Sequence, residues 1–591
     1  SDSINSNVVL FQDTSNSSID HPSSGLEKYK DLQKYFNRRL KAAYRRFSHA
    51  PDHSSVRTAS CFRSQPIGDD FEQQPQHVGH ETFSLLWATD EVLFYTTLEG
   101  LRCSRVSRLD LTASGSRSTS VYEESHPDVF VEVSLSRDRR MLSINCSSRT
   151  SSEVLLVDTT TSHLEPFLVQ RRQLDLLYHV EHWRKGLIIL TNTGPGQEYQ
   201  VVQAPLSEPH MVSWGPLFAP DPGTAIKDMD VVGDHCVLVA RTPAGELILV
   251  VVPLTRHKEK PGVADQRSVF EFFISSPVHL PVSYCLYPED GLLSSGSGDG
   301  TSLETQGNYT PTHLEACHQD GTMVPITLFH SKPVERLRQA PLLVHVYGAY
   351  GRDLNMEFSP EKRLLLEQGW TLAYCHIRGG SERGLFWQRQ ARVEGKQRGV
   401  EDLRACLHHL FSSGVSSPSL TALAACSAGA VPVGGAVPLF SCVQAPFLDV
   451  LGAMEDPSLP LTLEDREEWG DPVANAQHRL TISSYCPLQN ITPQCYPSIL
   501  LTAYSDDPRV PLAGVLRYTE LLKKALRTHF TMNPESESEP APNVVLNVQP
   551  GANHHGPEDF ELMLEEEALT LAFLHAELGL DPPRNDLNIY Q

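Results

Sequence analysis

Short apolar runs separated by turn residues characterise the chain from about residue 81 to residue 305. The runs are rich in Val, Ile, Leu and aromatic side chains, which is typical of β-strands. The clearest are Val92–Thr97, Val129–Ser134, Met141–Cys146, Val154–Val157, Leu187–Thr191, Glu198–Gln203, Cys236–Ala240 and Glu246–Val252. No long helical period interrupts them. This spacing predicts an all-β domain built from repeats, a β-propeller in particular, with about five or six blades at ~40–45 residues a blade.

After residue 305 the pattern changes to apolar strands that alternate with helices. The predicted strands are Pro341–Tyr347, Thr371–Ile377, Leu420–Cys426, Phe440–Gln444, Ser498–Tyr504 and Val544–Val548, and the predicted helices include Arg398–Ser412, Leu512–Leu526 and Glu558–Leu578. The last helix is predicted to bury one face, made of Phe560, Met563, Leu564, Leu571, Leu574 and Leu578. Continuous apolar strands between helices indicate a mostly parallel sheet covered on both faces, and so an α/β domain.

The first 80 residues form a third, more polar region. Residues 25–48 are predicted to form a helix, because apolar residues recur on one face at steps of three and four: Tyr29, Leu32, Phe36, Leu40, Ala43 and Phe47. Eight Lys or Arg side chains lie between Lys28 and Arg46. The helix therefore either packs on an acidic surface of its own protein, which we favour, or binds a membrane surface or an adaptor. Residues 49–80 are predicted to be a linker.

These patterns divide the chain into residues 1–80, 81–305 and 306–591, with a flexible junction at Gly291–Gly307. A chain of 591 residues is too long for a single hydrophobic core, so two large domains are expected. The net charge of -23 argues against a nucleic-acid partner. No apolar run approaches the ~18 residues of a transmembrane helix, and the N-terminus lacks a signal pattern.

Cysteine usage adds an expectation about the compartment. The twelve cysteines are scattered without a CxxC pair or a regular framework. Such a pattern is typical of free thiols, most of them buried, in a reducing compartment. The sequence therefore predicts a cytoplasmic protein without structural disulfides.

Three strands of the predicted α/β domain end at reactive side chains. Ser427 follows the strand Leu420–Cys426, Asp506 and Asp507 follow the strand Ser498–Tyr504, and His554 follows the strand Val544–Val548. Ser, Asp and His in this order are typical of α/β-hydrolases. In such enzymes the imidazole takes the serine proton, the carboxylate orients the imidazole, and a backbone N–H, here that of Ala428, binds the developing oxyanion.

Several segments around these residues resemble the prolyl oligopeptidase family of serine peptidases, which includes oligopeptidase B, and most closely its prolyl endopeptidase-like branch. They are DGTMVPITLF (320–329), HVYGAYG (345–351), HIRGGSERG (376–384), CSAGA (426–430), APFLDVL (445–451), LPLTLEDREEWGDP (459–472) and YPSILLTAYSDDPRVPL (496–512). The resemblance covers the catalytic half nearly end to end and is loose over the propeller. It implies a propeller that caps an α/β-hydrolase domain, with the N-terminal helix packed on the latter.

The resemblance assigns the catalytic roles residue by residue. It implies that Ser427 is the nucleophile and that Asp507 is the acid, because the family pattern D-x-R places an arginine, here Arg509, two residues later. It implies that the first histidine of the pair, His554, is the base.

The resemblance also implies the residues that bind the substrate. Tyr347 corresponds to a tyrosine whose hydroxyl is the second oxyanion donor, beside the N–H of Ala428. Tyr350 would line the substrate pocket, and Arg509 would hold a substrate carbonyl or carboxylate.

The chain departs from the family pattern next to the nucleophile. Ala425 and Ala430 stand where glycines are usual, and the segment that follows carries Pro432, two glycines and Pro438. Proline inside a helix costs ~3 kcal/mol or more and glycine ~1 kcal/mol. The helix after Ser427 is therefore predicted to be short or broken, which affects activity rather than fold.

Substrate preference is expected to depart from the family as well. Thr481 stands where prolyl-specific members carry a tryptophan that stacks on the substrate proline. Strong proline specificity is therefore not expected. The resemblance implies small peptides or acyl esters and thioesters as substrates, since a propeller cap would exclude folded proteins.

Two functions remain open from the sequence. The first is a cytosolic serine hydrolase of the prolyl oligopeptidase type. The second, implied by the resemblance alone, is a weak or inactive hydrolase-fold scaffold that regulates the trans-Golgi clathrin adaptor complex in vesicle traffic. No cofactor or metal is predicted, since the His408–His409 and His554–His555 pairs lack metal-ligand spacing. Cys426 is predicted to point into the core rather than to act as a nucleophile.

Overall fold

The structure is a computed structural model that describes residues 26–47, 82–112, 115–255, 268–295, 309, 311–436, 439–533 and 541–580. The linker predicted at 49–80 lies outside these residues, as does most of the junction predicted at Gly291–Gly307. Among the described residues, no helix is both long enough and apolar enough to cross a membrane.

The first part of the described chain is one helix followed by antiparallel sheets. Helix α1 covers Lys30–Phe47. The first two sheets contain β1 (Thr82–Thr89), β2 (Val92–Glu99), β3 (Arg102–Thr112) and β4 (Gly115–Glu123), then β5 (Phe130–Leu135), β6 (Met141–Ser147), β7 (Ser152–Asp158) and β8 (Pro166–Gln170). The next three contain β9 (Tyr178–Trp183), β10 (Gly186–Thr191), β11 (Gln200–Pro205) and β12 (Gly215–Phe218), then β13 (Ala225–Val232), β14 (His235–Arg241) and β15 (Leu247–Pro253), then β16 (Phe270–Ser276), β17 (His279–Tyr287) and β18 (Leu292–Ser295).

These five sheets of the described residues follow one another along the chain, and neighbouring strands in each are consecutive in sequence. Such a succession of small antiparallel meanders is the blade arrangement of a propeller. Apolar clusters lie between consecutive sheets. Val131 and Leu142 of the second sheet, for example, pack with Phe94 of the first.

The second part of the chain forms one eight-stranded sheet with helices. Its strands are β19 (Thr312–Cys317), β20 (Met323–Phe329), β21 (Leu342–Val346), β22 (Thr371–Cys375), β23 (Thr421–Cys426), β24 (Phe440–Gln444), β25 (Ile499–Tyr504) and β26 (Val544–Gln549). Its helices are α2 (Pro360–Glu367), α3 (Leu385–Arg389), α4 (Gln397–Ser412), α5 (Ala430–Ala436), α6 (Val450–Glu455), α7 (Thr462–Trp469), α8 (Ala476–Tyr485), α9 (Leu512–Met532) and α10 (Phe560–Glu577).

The strand order β19-β20-β22-β21-β23-β24-β25-β26 makes most of this sheet parallel. β21 to β26 pair in parallel, and only β19 and β20 form an antiparallel hairpin at one edge. Both faces are covered: Leu423 and Leu501 belong to one buried cluster, whereas Leu343 and Leu500 belong to another on the opposite face. The carboxyl ends of β23, β25 and β26 therefore meet at one edge, where α/β proteins bind ligands.

The N-terminal helix packs on the acidic C-terminal helix α10 of the same chain. Tyr29, Phe36 and Leu40 are fully buried there, and the centroid of the Phe36 ring lies 4.5 Å from that of His575. Lys28 forms an ion pair with Glu577 of α10. The apolar face predicted for this helix is confirmed, and so is the favoured interpretation that it packs on its own protein.

The face predicted for α10 is wrong in one respect. Phe560 is 48% exposed rather than buried, although Leu564, Leu571 and Leu574 are buried as predicted. The helix lies between the sheet and α1, so it buries side chains on two sides. A single apolar stripe could not represent that arrangement.

The helix that follows Ser427 is short. α5 ends at Ala436, before residues 437–438, which lie outside the described part of the chain. Pro432 falls in its first turn, where proline leaves no hydrogen bond unmade. Gly434 and Gly435 of this helix line a cavity of about 220 Å³. The described part of α5 is seven residues long, as expected of a short helix, and the effect of this segment on activity stays a prediction.

Polar contacts join the two parts of the chain. Lys227 of β13 donates to Asp353 at 2.8 Å, and the carboxylate of Glu198 accepts the backbone N–H groups of Leu385 and Phe386 at the start of α3. These contacts place the propeller strands against the loops at the carboxyl edge of the parallel sheet.

Candidate active site

Ser427 lies on a sharp turn between β23 and α5. Its φ is +50°, a left-handed conformation that non-glycine residues seldom adopt. A Cβ at Gly429 would lie 2.8 Å from the carbonyl oxygen of Val346, so only glycine fits this close approach. The strained strand-to-helix turn is the geometry that exposes a nucleophile at the end of a strand. It forms although Ala425 stands where the family pattern has glycine.

Asp507 and His554 form a hydrogen-bonded pair at the ends of β25 and β26. Nδ1 of His554 lies 2.7 Å from Oδ2 of Asp507. The other carboxylate oxygen accepts the backbone N–H groups of Arg509 and Val510 at 2.8 and 3.1 Å. Burial raises the pKa of Asp507, but these hydrogen bonds outweigh it and hold the pKa below its usual value. The carboxylate is therefore ionised at neutral pH and orients the imidazole. The structure leaves Asp506 and His555 out of this pair.

Two groups near Ser427 have the chemistry of oxyanion donors. The N–H of Ala428 lies in the first turn of a 3-10 segment, Ser427–Gly429, where backbone N–H groups have no acceptor within the helix. Tyr347 follows β21 directly and lines the same cavity as Ser427. Burial raises the pKa of Tyr347 to about 12, so its hydroxyl keeps the proton and can donate.

Tyr350 is held by side chains that the sequence analysis did not assign. Its φ is +59°, and its backbone N–H donates to Glu468 Oε1 at 2.9 Å. Its hydroxyl donates to Asp465 at 3.2 Å and accepts from Trp469 at 2.9 Å. The ring therefore lines the cavity while the hydroxyl is engaged elsewhere. All three partners lie in LPLTLEDREEWGDP, the segment that carries part of the family resemblance but had no role attached.

Arg149 reaches this site from the propeller. Its guanidinium lies 4.3 Å from the centroid of the Tyr350 ring and forms ion pairs with Glu464 and Asp465 at 2.8 and 2.9 Å. Burial raises the pKa of Asp465 to about 6, even though Arg149 favours its ionised form. No motif marks Arg149, because it lies in a serine-rich turn between two strands of the second blade.

These residues surround one cavity of about 750 Å³. Ser427, His554, Tyr347, Tyr350 and Arg509 all line it, and Arg509 is exposed to solvent. The structure therefore brings the residues predicted from the sequence to a single site.

Cys426 corrects one expectation about this cavity. The residue is exposed and lines the cavity, whereas the sequence analysis placed it in the core. Side chains alternate along a strand, so Cys426 shares a face with Ala424, and that face borders the cavity rather than packed side chains. Although the side chain is accessible from the cavity, the surrounding protein atoms limit its hydration and raise the pKa of the Cys426 thiol, which keeps it protonated and a poor nucleophile.

Ser427 and His554 face the same cavity without a hydrogen bond between them in the described structure. Catalytic hydrogen bonds are often long before substrate binds and tighten in the complex. The arrangement can perform acyl transfer once the serine hydroxyl and the imidazole approach each other.

Comparison with known proteins identifies the family of both parts. The profile described as "Prolyl oligopeptidase family" matches residues 356–581, and that described as "Prolyl oligopeptidase, N-terminal beta-propeller domain" matches residues 67–281. The chain is 39% identical to prolyl endopeptidase-like of Xenopus laevis over 86% of this chain and 74% of that protein. It is 40% identical to prolyl endopeptidase-like of Homo sapiens over 84% of this chain and 70% of that protein.

A solved structure supports the same conclusion. Oligopeptidase B from Trypanosoma brucei, with covalently bound antipain and in a closed form, superimposes with a TM-score of 0.74 at 26% identity, over 84% of this chain and 73% of that one. The predicted fold class, an α/β-hydrolase catalytic domain with an N-terminal helix and an all-β propeller, is confirmed. The chain belongs to the prolyl oligopeptidase family of serine peptidases.

Proposed function

We propose that this chain is a serine hydrolase that cleaves small peptides, acyl esters or thioesters through an acyl-enzyme on Ser427. The observation that carries the proposal is the 2.7 Å hydrogen bond between Asp507 and His554, beside a cavity that Ser427 also lines. A serine on a strained strand-to-helix turn, opposite an oriented imidazole, is the arrangement that acyl transfer needs.

Each group has a defined step in the proposed mechanism. His554 takes the proton of Ser427 while the serine oxygen attacks the substrate carbonyl carbon. The N–H of Ala428 and the hydroxyl of Tyr347 stabilise the resulting oxyanion. His554 then protonates the leaving amine, alcohol or thiol. In the second half, a water molecule loses a proton to His554 and hydrolyses the acyl-enzyme, which restores Ser427. No cofactor takes part in this sequence.

The size of the cavity supports small substrates. A volume of about 750 Å³ is that of a site for a drug-sized ligand. Arg149 shows that the propeller contributes to its wall, which restricts access by folded proteins. Arg509 lies at the cavity with its guanidinium available for a substrate carbonyl or carboxylate. Thr481 provides no ring for a proline, so we propose little or no proline specificity.

Two observations favour a second candidate function. α5 ends after seven residues, and Ser427 is not hydrogen-bonded to His554 in the described structure. A chain with a weak or inactive site could act as a scaffold that regulates the trans-Golgi clathrin adaptor complex. We propose for either function a location in the cytosol, with the scaffold at the trans-Golgi network. The buried face of α1 is occupied by α10, so an adaptor would bind another surface.

The two functions predict different results in a hydrolysis assay. The wild-type protein is incubated with p-nitrophenyl esters, acyl thioesters and short peptides, alongside Ser427→Ala and the control Ser412→Ala, which alters an exposed hydroxyl at the end of α4. A hydrolase turns over at least one class, and Ser427→Ala reduces the rate to that of buffer while Ser412→Ala leaves it unchanged. Turnover by Ser427→Ala at the wild-type rate would refute the mechanism, and no turnover by a folded wild type would favour the scaffold.

A further inference from the structure

A hydrogen-bonded cluster outside the catalytic triad joins the ends of two strands to helix α10. Gln444 is the last residue of β24, and Tyr504 is the last residue of β25. The hydroxyl of Tyr504 donates to Glu566 Oε1 at 2.8 Å, and the side-chain amide of Gln444 donates to the same oxygen at 2.7 Å. The amide also donates to the Tyr504 hydroxyl at 2.6 Å, which closes the cluster. We call these three residues the strand-end clamp.

Tyr504 lies against the turn that carries His554, residues 552–556, which we call the histidine turn. Ala552, at the start of the turn, packs with Tyr504 in a small buried cluster. At its end, a Cβ at Gly556 would lie 3.2 Å from the hydroxyl oxygen of Tyr504, so the backbone approaches the clamp closely there. The N–H of Gly556 donates to the carbonyl of Asn553 at 2.9 Å and closes the turn. The histidine turn therefore contacts the clamp on both sides of His554.

The clamp is also connected to the backbone of the nucleophile. Gln444 is followed by Ala445, whose φ is +45° and whose N–H donates to the Thr502 carbonyl of β25 at 2.8 Å. Two residues later, the N–H of Phe447 donates to the carbonyl of Ser427 at 3.1 Å. The nucleophile, the ends of β24 and β25 and the histidine turn are therefore joined through short contacts that meet at the clamp.

Burial makes the hydrogen bonds of the clamp costly to break. Tyr504 is 1% exposed and Glu566 is 7% exposed. Burial, with the neighbouring carboxyl group of Glu566, raises the pKa of Tyr504 above its usual value, so the hydroxyl keeps its proton and donates. Burial also raises the pKa of Glu566, and the hydrogen bonds from Tyr504 and Gln444 reduce that shift. Removing a donor or the acceptor would leave a buried polar group without a partner, which favours movement of the strand ends.

We propose that Glu566 and Tyr504 are positioning residues for the hydrolase reaction, which hold the histidine turn where His554 can take the proton of Ser427. Both act through His554 rather than on the reacting atoms. The clamp limits the positions that the imidazole samples, and a displacement of about 1 Å at a reacting group can cost about 10²-fold in rate. The proposal rests on the hydrolase function proposed above and assigns further residues to the same reaction.

Steady-state kinetics on the best ester substrate compares three clamp variants with a matched control. Tyr504→Phe keeps the ring and removes the hydroxyl, Glu566→Leu removes the acceptor, and Glu566→Gln keeps an oxygen that accepts both hydrogen bonds. We expect the first two to lower kcat about 10- to 100-fold with KM unchanged, because positioning acts on the chemical step, and Glu566→Gln to retain most of the wild-type rate. Tyr518→Phe alters a buried tyrosine of α9 outside the clamp and should match the wild type. A wild-type kcat in Tyr504→Phe, or an equal loss in Glu566→Gln and Glu566→Leu, would overturn the proposal.

Amide hydrogen exchange tests the clamp without requiring turnover. Mass spectrometry follows the peptide that contains residues 552–556 in the wild type, Tyr504→Phe and Tyr518→Phe. We expect Tyr504→Phe to exchange faster at the histidine turn while α9 exchanges as in the wild type, because the loss of the hydroxyl loosens the turn locally. Unchanged exchange at the turn, or a uniform increase across the hydrolase domain, would overturn the positioning role. Absence of ester hydrolysis by the wild type would refute the hydrolase function, while exchange would still decide whether the clamp holds the turn.

Discussion

Asp507 determines the chemistry of His554 at the scale of single residues. Its buried carboxylate accepts one hydrogen bond from the imidazole and two from backbone N–H groups that begin the next segment. Together these bonds hold its pKa below the usual value in spite of burial. The carboxylate therefore stays ionised and fixes the tautomer in which the other imidazole nitrogen, Nε2, is free to accept the serine proton.

Replacing Asp507 by asparagine tests that role. The amide keeps the shape of the side chain but no longer fixes the tautomer or stabilises the imidazolium, so kcat should fall by about 10³- to 10⁴-fold. Steady-state hydrolysis of the best ester substrate measures the change. Asp506→Asn is the matched control, since Asp506 is exposed and makes no contact with His554. Equal losses in the two variants would contradict the assignment of Asp507.

The sequence predicts some residues of the site and not others for a physical reason. Ser427 follows its strand directly, and Asp507 and His554 lie within the loops that follow β25 and β26. The ends of parallel strands meet at one edge, so local patterns place the three residues together. Arg149 approaches from a different domain, and no local pattern encodes that contact. The buried carboxyl group of Glu566, which accepts hydrogen bonds from Gln444 and Tyr504, is equally hidden, because it lies on a helix whose apolar spacing indicates only a buried face.

At the scale of elements, α7 and the start of α4 fix the loop that carries Tyr347 and Tyr350. Glu468 of α7 is fully buried, accepts the backbone N–H of Tyr350 and forms an ion pair with Lys396. The ammonium of Lys396 lies 4.2 Å from the centroid of the Trp469 ring. This buried pair therefore holds Tyr350 in its left-handed conformation at the cavity.

Removing one charge of this pair should destabilise the hydrolase domain. Glu468→Gln leaves the ammonium of Lys396 buried without a carboxylate, at a cost of about 3–5 kcal/mol. Thermal unfolding measures the loss, with Glu558→Gln at an exposed position as the control. Adding Lys396→Met to Glu468→Gln should restore part of the stability, since the buried ammonium that lost its carboxylate is then absent. A double variant less stable than Glu468→Gln alone would contradict this explanation.

Element boundaries show where sequence patterns suffice. β24 has the predicted bounds, and β21, β23 and β25 begin within one residue of their predicted starts. Turn residues bound the apolar runs of these strands, so the first and last residues of each strand can be located from the sequence. The predicted strands did not include the β19–β20 hairpin: β19 alternates polar and apolar residues, and Pro325 interrupts the apolar run of β20. The pattern also assigned α10 a single buried face, because it could not show that α1 covers the opposite side.

At the scale of the whole molecule, contacts from the propeller reach the catalytic cavity of the hydrolase domain. Arg149 of the propeller bridges Glu464 and Asp465 of the hydrolase domain, and Lys227 bridges Asp353. The side chains of Arg149 and Asp465 are largely buried. Separating the domains would break this ion pair, and its favourable free energy would be lost. We therefore expect the contact of Arg149 with Glu464 and Asp465 to help hold the two domains together at the cavity.

Replacing Arg149 by methionine should favour separation of the domains. A coupling of about 1–3 kcal/mol would increase exposure of the cavity about 5- to 150-fold. The rate at which a small alkylating reagent modifies Cys426 reports that exposure, because this thiol lines the cavity. Arg184→Met, which removes an ion pair within the propeller, is the control. Unchanged alkylation in Arg149→Met would show that this contact does not hold the domains together.

The most direct test of the central claim is labelling with a fluorophosphonate, which reacts with a serine only when the base and the oxyanion site are formed. We predict that the wild-type protein is labelled at Ser427, as peptide mass mapping would show, and that Ser427→Ala and His554→Ala are not. Absence of label on a well-folded wild-type protein, or a label at another serine, would contradict a working acyl-transfer site at Ser427.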